Sequence, residues 1–431
     1  MVELTVHGRN AVVVGAGGSG RAAARLLARC GCSVRLVERN PEAVDETFRA
    51  EAKELGVNLL FGEHTREQFE DSNLVVMSPG IPVVKIAHLF PGGDKGFGPE
   101  VMSELELAWR FVSEPVLAIT GTSGKTTTTG IAAAMLEEAG RKVFVGGNIG
   151  TPLSEYILSG ESADILVLEV SSFQLQLCDL FKPRVAVLLN ITPNHLDYHA
   201  DMEEYLEAKL KIFARQEQFD LAVIPCTLKD ELAGKIPERV RARCFSGRDR
   251  FHCPALRGAH NQENMEAAFM AVKYFGVGEQ QAQDALDKYA PPPHRLETVD
   301  EINGVLFVDD SKATTIDAMR VALQAMDRPV LLLAGGVFKG GSPEELLPLL
   351  TEKVRAVGLY GAGKDVFEKA WKGNVDLFWE PTLEQAMKRL WKMARGGEAV
   401  LLSPATSSFD QYSDYKARGE DFKRVARGFR Q

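Results

Sequence analysis

The sequence predicts an α/β protein of three domains: a Rossmann-like unit, a P-loop ATPase-type parallel sheet, and a second Rossmann-like unit. Three observations carry this. A short apolar strand runs into Gly15-Ala16-Gly17-Gly18-Ser19-Gly20 and then a helix, the G-x-G-x-x-G pattern. Another strand, Val116–Thr120, runs into Gly121-Thr122-Ser123-Gly124-Lys125-Thr126 and a helix that ends at Gly140. Strand and helix patterns then keep alternating, which implies parallel sheets with right-handed crossovers. Breaks at Ser113-Glu114-Pro115 and at the stiff Ala290-Pro291-Pro292-Pro293 linker divide the chain into 1–113, 114–293 and 294–431.

At 431 residues the chain has room for about three domains of ~150 residues. Its 45% hydrophobic and 25% charged residues suit a globular protein with large cores. A net charge of −9 without a basic run argues against nonspecific nucleic-acid binding, although a phosphate can still be held locally. Six cysteines, Cys30, Cys32, Cys178, Cys226, Cys244 and Cys253, show no CxxC or zinc spacing, so reduced and mostly structural thiols are expected. The N-terminus has no signal-peptide profile and no apolar run reaches the ~18–20 residues of a membrane helix, so a cytoplasmic location is expected. No internal repeat is present.

In the first domain Asn10–Val14 is a strand, a helix follows the glycines, and a second strand over Ser33–Val37 ends at Glu38. An acid roughly 20 residues beyond the glycines completes a dinucleotide fingerprint. Taken alone, that fingerprint says only that some diphosphate can approach the backbone. The strand Asn73–Met77 ends in Ser78-Pro79-Gly80, either a plain turn or a wall of the same crevice. The glycine-rich loop Pro91–Pro99 leads to a helix predicted over Glu100–Phe111.

In the second domain the glycines at 121 and 124 turn the backbone so that its N–H groups point inward, and the following helix adds its positive dipole end. Lys125 supplies a mobile charge, and the Thr126 hydroxyl is placed to ligate Mg²⁺. The full P-loop pattern would have glycine where Ile119 stands, so the match is to a shorter G-T-x-G-K-T form. A helix cap with an incidental lysine is the plainer alternative; the strand before and helix after favour nucleotide. Lys142–Val145 ends in GGNIG (146–150), and the buried strand Asp164–Val170 carries Glu169 at its end. A carboxylate there is costly unless it meets a cation, and Mg²⁺ is the cation expected at a P-loop sheet. Arg184–Ile191 leads to His195, a cap or a ligand at the same sheet edge. The helix Met202–Gln216 carries Lys209 and Lys211, which spacing alone does not separate. Asn261 and Asn264 share one face near the start of a further helix, where they either cap it or read a base edge.

The third domain opens with His294-Arg295 and a strand over Gly304–Val308 that ends in DDSKATT (309–315). Strands over Val330–Ala334, Ala356–Leu359, Val375–Phe378 and Ala399–Leu402 follow, with polar loops at 335–340 and 403–411. Such loops suggest a face that closes over the P-loop; a passive lid is the alternative.

In combination, GTSGKTT (121–127), GGNIG (146–150), Glu169 with SSFQL (171–175), NITPNHLDYH (190–199), HNQEN (260–264), HR (294–295), DDSKATT (309–315) and SPATSSFDQY (403–412) resemble the Mur ligases, ATP-dependent amide-forming enzymes of peptidoglycan assembly. The resemblance spans all three domains. GAGGSG with SPG at the front, and SPATSSFDQY with RGEDF at the end, resemble the D-glutamate-adding member.

What the resemblance implies is amide synthesis through an acyl phosphate, from ATP, UDP-N-acetylmuramoyl-L-alanine and D-glutamate, by a monomer. The first domain would then hold UDP rather than NAD, with Gly18 and Ser19 at the diphosphate and Ser78 and Gly80 bordering the nucleotide. Arg39-Asn40 stands where the family has a Thr-Arg pair, which offers Arg39 for that contact. Gly121, Thr122, Ser123, Gly124, Lys125, Thr126 and Thr127 would cradle ATP, with Asn261 and Asn264 at adenine, Arg295 at the phosphates and Asp310 at the ribose. Thr126 and Glu169 would bind one Mg²⁺, and His195 a second together with a carbamate on Lys209, chosen over Lys211 by the matching Y-x-x-x-K stretch. Asn148 and His195 would meet the muramoyl substrate. Lys312, Thr314, Lys339, Ser408 and Phe409 would hold D-glutamate, and Lys125, Glu169, His195, Lys209 and Lys312 would form the catalytic set.

Three other readings compete. A folylpolyglutamate-type ligase shares the later domains but lacks the GAGGSG domain. A nicotinamide-dependent oxidoreductase explains Gly15–Glu38 and leaves the P-loop and DDSKATT idle. A non-catalytic P-loop binder has no need of the set Glu169, His195 and Lys209.

Overall fold

The computed structural model describes residues 6–92, 98–193, 198–256, 258–338 and 340–430, all but the side chain of Asp317. His195 and Lys339, and residues 93–97 of the predicted glycine loop, lie outside the described residues.

Three sheets organise the chain. The first contains β1 (Asn10–Val14), β2 (Ser33–Glu38), β3 (Asn58–Phe61), β4 (Leu74–Met77) and β5 (Glu100–Ser103), in the order β3-β2-β1-β4-β5 and parallel throughout. The second contains β6 (Val116–Thr120), β7 (Val143–Gly147), β8 (Ile165–Glu169), β9 (Val185–Leu188), β10 (Leu221–Pro225) and β11 (Arg241–Phe245), ordered β11-β10-β9-β6-β8-β7 and again parallel. The third contains β12 (Glu297–Ile302), β13 (Val305–Asp309), β14 (Val330–Gly335), β15 (Val354–Tyr360), β16 (Asp376–Glu380) and β17 (Ala399–Leu402), ordered β12-β13-β17-β14-β15-β16. Only β12 is antiparallel in it, paired to β13. β4, β6, β8, β14 and β17 are buried along their whole length. Parallel strands covered on both faces need such unbroken apolar runs.

The chain divides into two compact units, Met1–His252 with Gln262–Lys288, and Cys253–Asn261 with Tyr289–Gln431. In the first unit one apolar cluster runs from Val13 and Leu27 through Leu105 and Val116 to Ala222, so two sheets share a core. In the second unit alternation along β14 sends Leu332 to a cluster with Trp371 and Leu333 to a cluster with Phe422, one on each face of the sheet.

Two expectations need correction. The helix predicted over Glu100–Phe111 starts at Glu104, because Glu100–Ser103 pairs with β4 as an edge strand. Ser103 then caps the helix, its Oγ accepting from the Glu106 N–H at 3.3 Å. The cysteines are not all reduced: Cys226 and Cys244 are joined as a disulfide. The parallel register sets Ile224 beside Cys244, bringing the residue just past β10 within a Cα–Cα distance of 4.8 Å. That separation suits a disulfide, and a sequence separation of 18 hides it from spacing rules.

The helix Glu104–Trp109 ties the first two sheets together through two buried carboxylates. Glu106 accepts backbone N–H bonds from Asp179, Leu180 and Phe181 at 3.0–3.1 Å. Glu104 Oε1 accepts from the Ser154 N–H at 2.6 Å, while Oε2 meets no partner among the described residues. Burial therefore pushes the Glu104 carboxyl from the usual 4.5 up to about 6. The folded state keeps a proton that the unfolded state has released, so stability is lost as pH rises from 4.5 through 6. Glu104→Gln keeps the Ser154 acceptor and removes the charge. It is expected to match the parent near pH 4 and to exceed it by about 2 kcal/mol at neutral pH. Urea midpoints at the two pH values check this; a variant no more stable at neutral pH would refute it.

Candidate active site

The phosphate loop connects β6 to the helix Lys125–Glu138, and its shape depends on two glycines. Gly121 has φ +154° and Gly124 φ +82°, both in the region that favours glycine. A Cβ on Gly121 would lie 2.9 Å from Leu189 Cβ, and one on Gly124 2.5 Å from Asn264 Oδ1. Asn190, just past β9, splints the turn: its Oδ1 accepts from the Ser123 N–H at 2.9 Å, and its carbonyl from the Thr122 N–H at 3.1 Å. The helix start carries no side-chain cap. A glycine turn entering an uncapped helix end leaves open N–H groups that can hold an anion such as phosphate.

Around this loop the neighbouring strand ends place their polar groups. Lys125 Nζ donates to the Gly121 and Thr122 carbonyls at 2.9 and 3.0 Å. Thr126 Oγ1 donates to Glu169 Oε2 at 2.6 Å, and Asn148 Nδ2 to Glu169 Oε1 at 2.8 Å. β8 lies beside β6 and β7 beside β8, so sheet order brings Glu169 and Asn148 to the loop. Asn148, offered to the muramoyl substrate by resemblance, holds Glu169 in this structure. Asn264 likewise sits under the loop, accepting from Thr128 Oγ1 at 3.2 Å. Asn261, on the same helix (Ala259–Val272), is buried.

Lys209 is 2% exposed and comes from the helix Met202–Ala214. Its Nζ donates to the Gly121 carbonyl at 2.9 Å and lies 4.7 Å from the centre of the Tyr205 ring. Burial, and then the Lys125 charge, hold its ammonium well below the usual lysine range, with Glu169 acting in the opposite sense. The Tyr205 hydroxyl is 3.0 Å from Thr122 Oγ1. His199 stacks on Phe173, its Nε2 3.0 Å from Ser172 Oγ, on the segment that follows β8.

The first sheet forms a second glycine turn. Gly15 has φ +92°, and the Glu38 carboxylate accepts from the Ala16 and Asn40 N–H groups at 2.8 and 3.0 Å. Glu38 thus braces the turn itself. Ser78 Oγ donates to the Gly15 carbonyl at 3.3 Å, which places the Ser78–Gly80 turn at this crevice. The helix Gly18–Arg29 starts with no side-chain cap, and Gly18 is exposed and Ser19 half-buried there. Arg39 pairs with Glu63 at 2.5 Å on the surface.

In the second unit β13 ends in two differently held acids. Asp309 accepts from the Ser311 N–H at 2.9 Å and lies 2.7 Å from His294 Nδ1. Asp310 accepts from Ser403 Oγ at 3.0 Å and the Leu296 N–H at 3.2 Å, and burial pushes it up to about 7 against those bonds and the Arg295 charge. Lys312 Nζ lies 4.1 Å from the centre of the Tyr415 ring. Thr314 is half-buried, Ser408 is buried and Phe409 is 66% exposed. His294, Glu297 and Asp309 bring possible metal-ligand atoms within 4.8 Å of one another, but Lys423 Nζ, 2.8 Å from Glu297, already supplies a cation.

Sequence reasoning gave no individual role to Asn190, His199, Tyr205, His294 or Tyr415. All but Tyr415 had a signal: Asn190 and His199 lie in the motif at the end of β9, His294 in the HR pair and Tyr205 in the Y-x-x-x-K stretch. A cleft of about 310 Å³ lined by Cys178, Phe181 and Lys211 among others involves none of the phosphate-loop residues.

The chain matches the MurD-like N-terminal domain over residues 9–89, the Mur ligase middle domain over 119–252 and the Mur ligase glutamate ligase domain over 294–406. It is 53% identical over 421 residues to a UDP-N-acetylmuramoylalanine–D-glutamate ligase of Desulfovibrio desulfuricans, covering 97% of this chain and 96% of that one. The enzyme of the same name from Oleidesulfovibrio alaskensis is also 53% identical, covering 97% and 93%. Among solved structures, the MurF ligase of Thermotoga maritima in complex with ADP shares the fold with a TM-score of 0.62 at 19% identity, covering 99% of this chain and 97% of that one. The UDP-N-acetylmuramate-alanine ligase MurC of the same organism does so at 0.58 and 18%, covering 98% and 100%. With three domain matches in order and relatives of this identity along nearly the whole length, the chain belongs to the Mur ligase family.

Proposed function

We propose that this protein is an ATP-dependent ligase that joins D-glutamate to UDP-N-acetylmuramoyl-L-alanine, releasing ADP and phosphate, in peptidoglycan synthesis in the cytoplasm. The observation that carries the chemistry is the convergence of Lys125, the Thr126–Glu169 pair and the buried Lys209 amine on one phosphate loop. We assign 1–113 to the UDP substrate, 114–293 to ATP and 294–431 to the amino acid.

A carboxylate does not condense with an amine near neutral pH, because its oxygen leaves poorly. The muramoyl-alanine carboxylate oxygen therefore attacks the γ-phosphorus of ATP, and ADP leaves. The D-glutamate nitrogen then attacks the acyl carbon, phosphate departs with that oxygen, and the amine loses its proton to water. Lys125 and the loop N–H groups hold the β- and γ-phosphates and spread the charge of the transferring group. The open start of the helix Gly18–Arg29 receives the UDP diphosphate.

Thr126 and Glu169 form an all-oxygen pair 2.6 Å apart, which suits a hard divalent cation. Magnesium held there would neutralise charge on the phosphate oxygens. Lys209 is proposed to react with carbon dioxide: its nitrogen bonds the carbon, one N–H proton goes to water, and a carbamate remains. Burial favours the neutral amine, which is the form able to do so. The carbamate would join His195 at a second magnesium. Arg295 and Asp310 are proposed for ATP, and Lys312, Thr314, Lys339, Ser408 and Phe409 for D-glutamate.

Phosphate release from ATP with UDP-N-acetylmuramoyl-L-alanine tests the function. Release that depends on D-glutamate, and not on L-glutamate, L-alanine or meso-diaminopimelate, is expected. Release with another amino acid would correct the substrate, and none with any, bicarbonate included, would overturn the reading.

A further inference from the structure

Arg418 is wholly buried, and among the described residues no carboxylate pairs with it. Its donors go to neutral oxygens: Nε to Ser311 Oγ at 2.9 Å, and one terminal nitrogen to the Ser311 carbonyl at 2.8 Å and the Thr406 carbonyl at 3.0 Å. The other terminal nitrogen lies 3.5 Å from the Gly335 carbonyl. These oxygens belong to the chain just past β13, just past β17 and at the end of β14, three adjacent strands in the middle of the third sheet. One guanidinium therefore ties together three loops: the one that carries Lys312 and Thr314, the one that carries Ser408 and Phe409, and the one entered from Gly335. The same helix, Tyr415–Gly428, holds the first loop a second time: Ser311 Oγ donates to the Tyr415 carbonyl at 2.8 Å, and the Tyr415 ring lies under Lys312.

A buried guanidinium with no direct carboxylate partner among the described residues is costly to a fold, and the buried Asp309, which accepts from the N–H of the same Ser311, offsets it only through space. What it supplies is a fixed array of donors and a positive charge in a medium that screens it weakly. We propose that Arg418 is a positioning residue that sets the selectivity of the amino-acid site for a dicarboxylic amino acid. It fixes the three loops relative to one another, and its charge favours the second carboxylate of the substrate over a neutral side chain. This rests on the proposed function above.

The test compares the KM for D-glutamate with those for D-glutamine, ATP and the muramoyl substrate. Arg418→Lys keeps the charge and loses the fork: the KM for both amino acids should rise about tenfold, with their ratio kept and the KM for the muramoyl substrate unchanged. Arg418→Gln loses the charge as well, so the preference for D-glutamate over D-glutamine should fall about tenfold further. Ser311→Ala, which removes one acceptor, should move the amino-acid KM in the same direction by less, and it keeps the idea testable should Arg418→Gln not fold. All KM values rising together, or the amino-acid KM staying unchanged in Arg418→Lys, would overturn the role. A parent enzyme without D-glutamate-dependent phosphate release would overturn the functional reading itself.

Discussion

Replacing Lys209 with alanine is expected to lower turnover by at least about 10²-fold, the scale of losing one group that stabilises developing charge. Formate or acetate in the assay is expected to restore part of the loss. The amine lies inside the fold, between the Gly121 carbonyl and the Tyr205 ring, so truncation leaves a space lined by polar atoms of the phosphate loop. A short carboxylate fits that space and returns the anionic oxygens that a carbamate would have supplied. Lys209→Arg fills the space with a cation that does not add carbon dioxide, so it should be as inactive and resist rescue. The intact parent protein should carry the mass of one added carbon dioxide when held in bicarbonate. Full activity in Lys209→Ala would end the carbamate assignment. Loss without rescue by any short carboxylate would leave Lys209 a structural brace for the loop.

Lys125→Met is expected to lower kcat/KM for ATP by about 10²–10³-fold while leaving the affinity for the UDP substrate nearly unchanged. Methionine keeps the length of the stem and the helix propensity, so the helix Lys125–Glu138 should still form. What goes is the ammonium, which bridges the Gly121 and Thr122 carbonyls at the start of the helix Lys125–Glu138. Initial rates over an ATP titration, beside binding of the UDP substrate followed calorimetrically, separate the two effects. An unchanged kcat/KM would remove Lys125 from the phosphate site, and an equal loss of UDP-substrate binding would mean a general collapse of the first unit.

The two glycine turns were readable from the sequence because their backbone demands are local. Gly121 and Gly124 occupy φ values that other residues avoid, and the strand before and helix after each turn follow from short-range sterics and apolar period. The long buried strands were readable for the same reason. Edge elements were not: Glu100–Ser103 has the composition of a helix start and becomes a strand only because β4 offers it an open edge.

Lys209 and Lys211 show where the sequence stops. Spacing treats them alike, and only resemblance favoured one. In the fold, two residues along a helix is more than half a turn, so Lys209 is buried against Gly121 while Lys211 is exposed and caps the Gln176 carbonyl. The Cys226–Cys244 bond, the Asn190 splint and the Arg418 hub have the same origin. Each joins residues far apart in the chain whose strand ends meet through sheet order. Local patterns alone specify the class of fold, the two glycine turns and the motifs that mark the family. Which lysine is buried, which carboxylate is braced and which cation binds three loops together depend on how the sheets assemble. Burial and pairing are properties of the surroundings, and only the assembled sheets supply those.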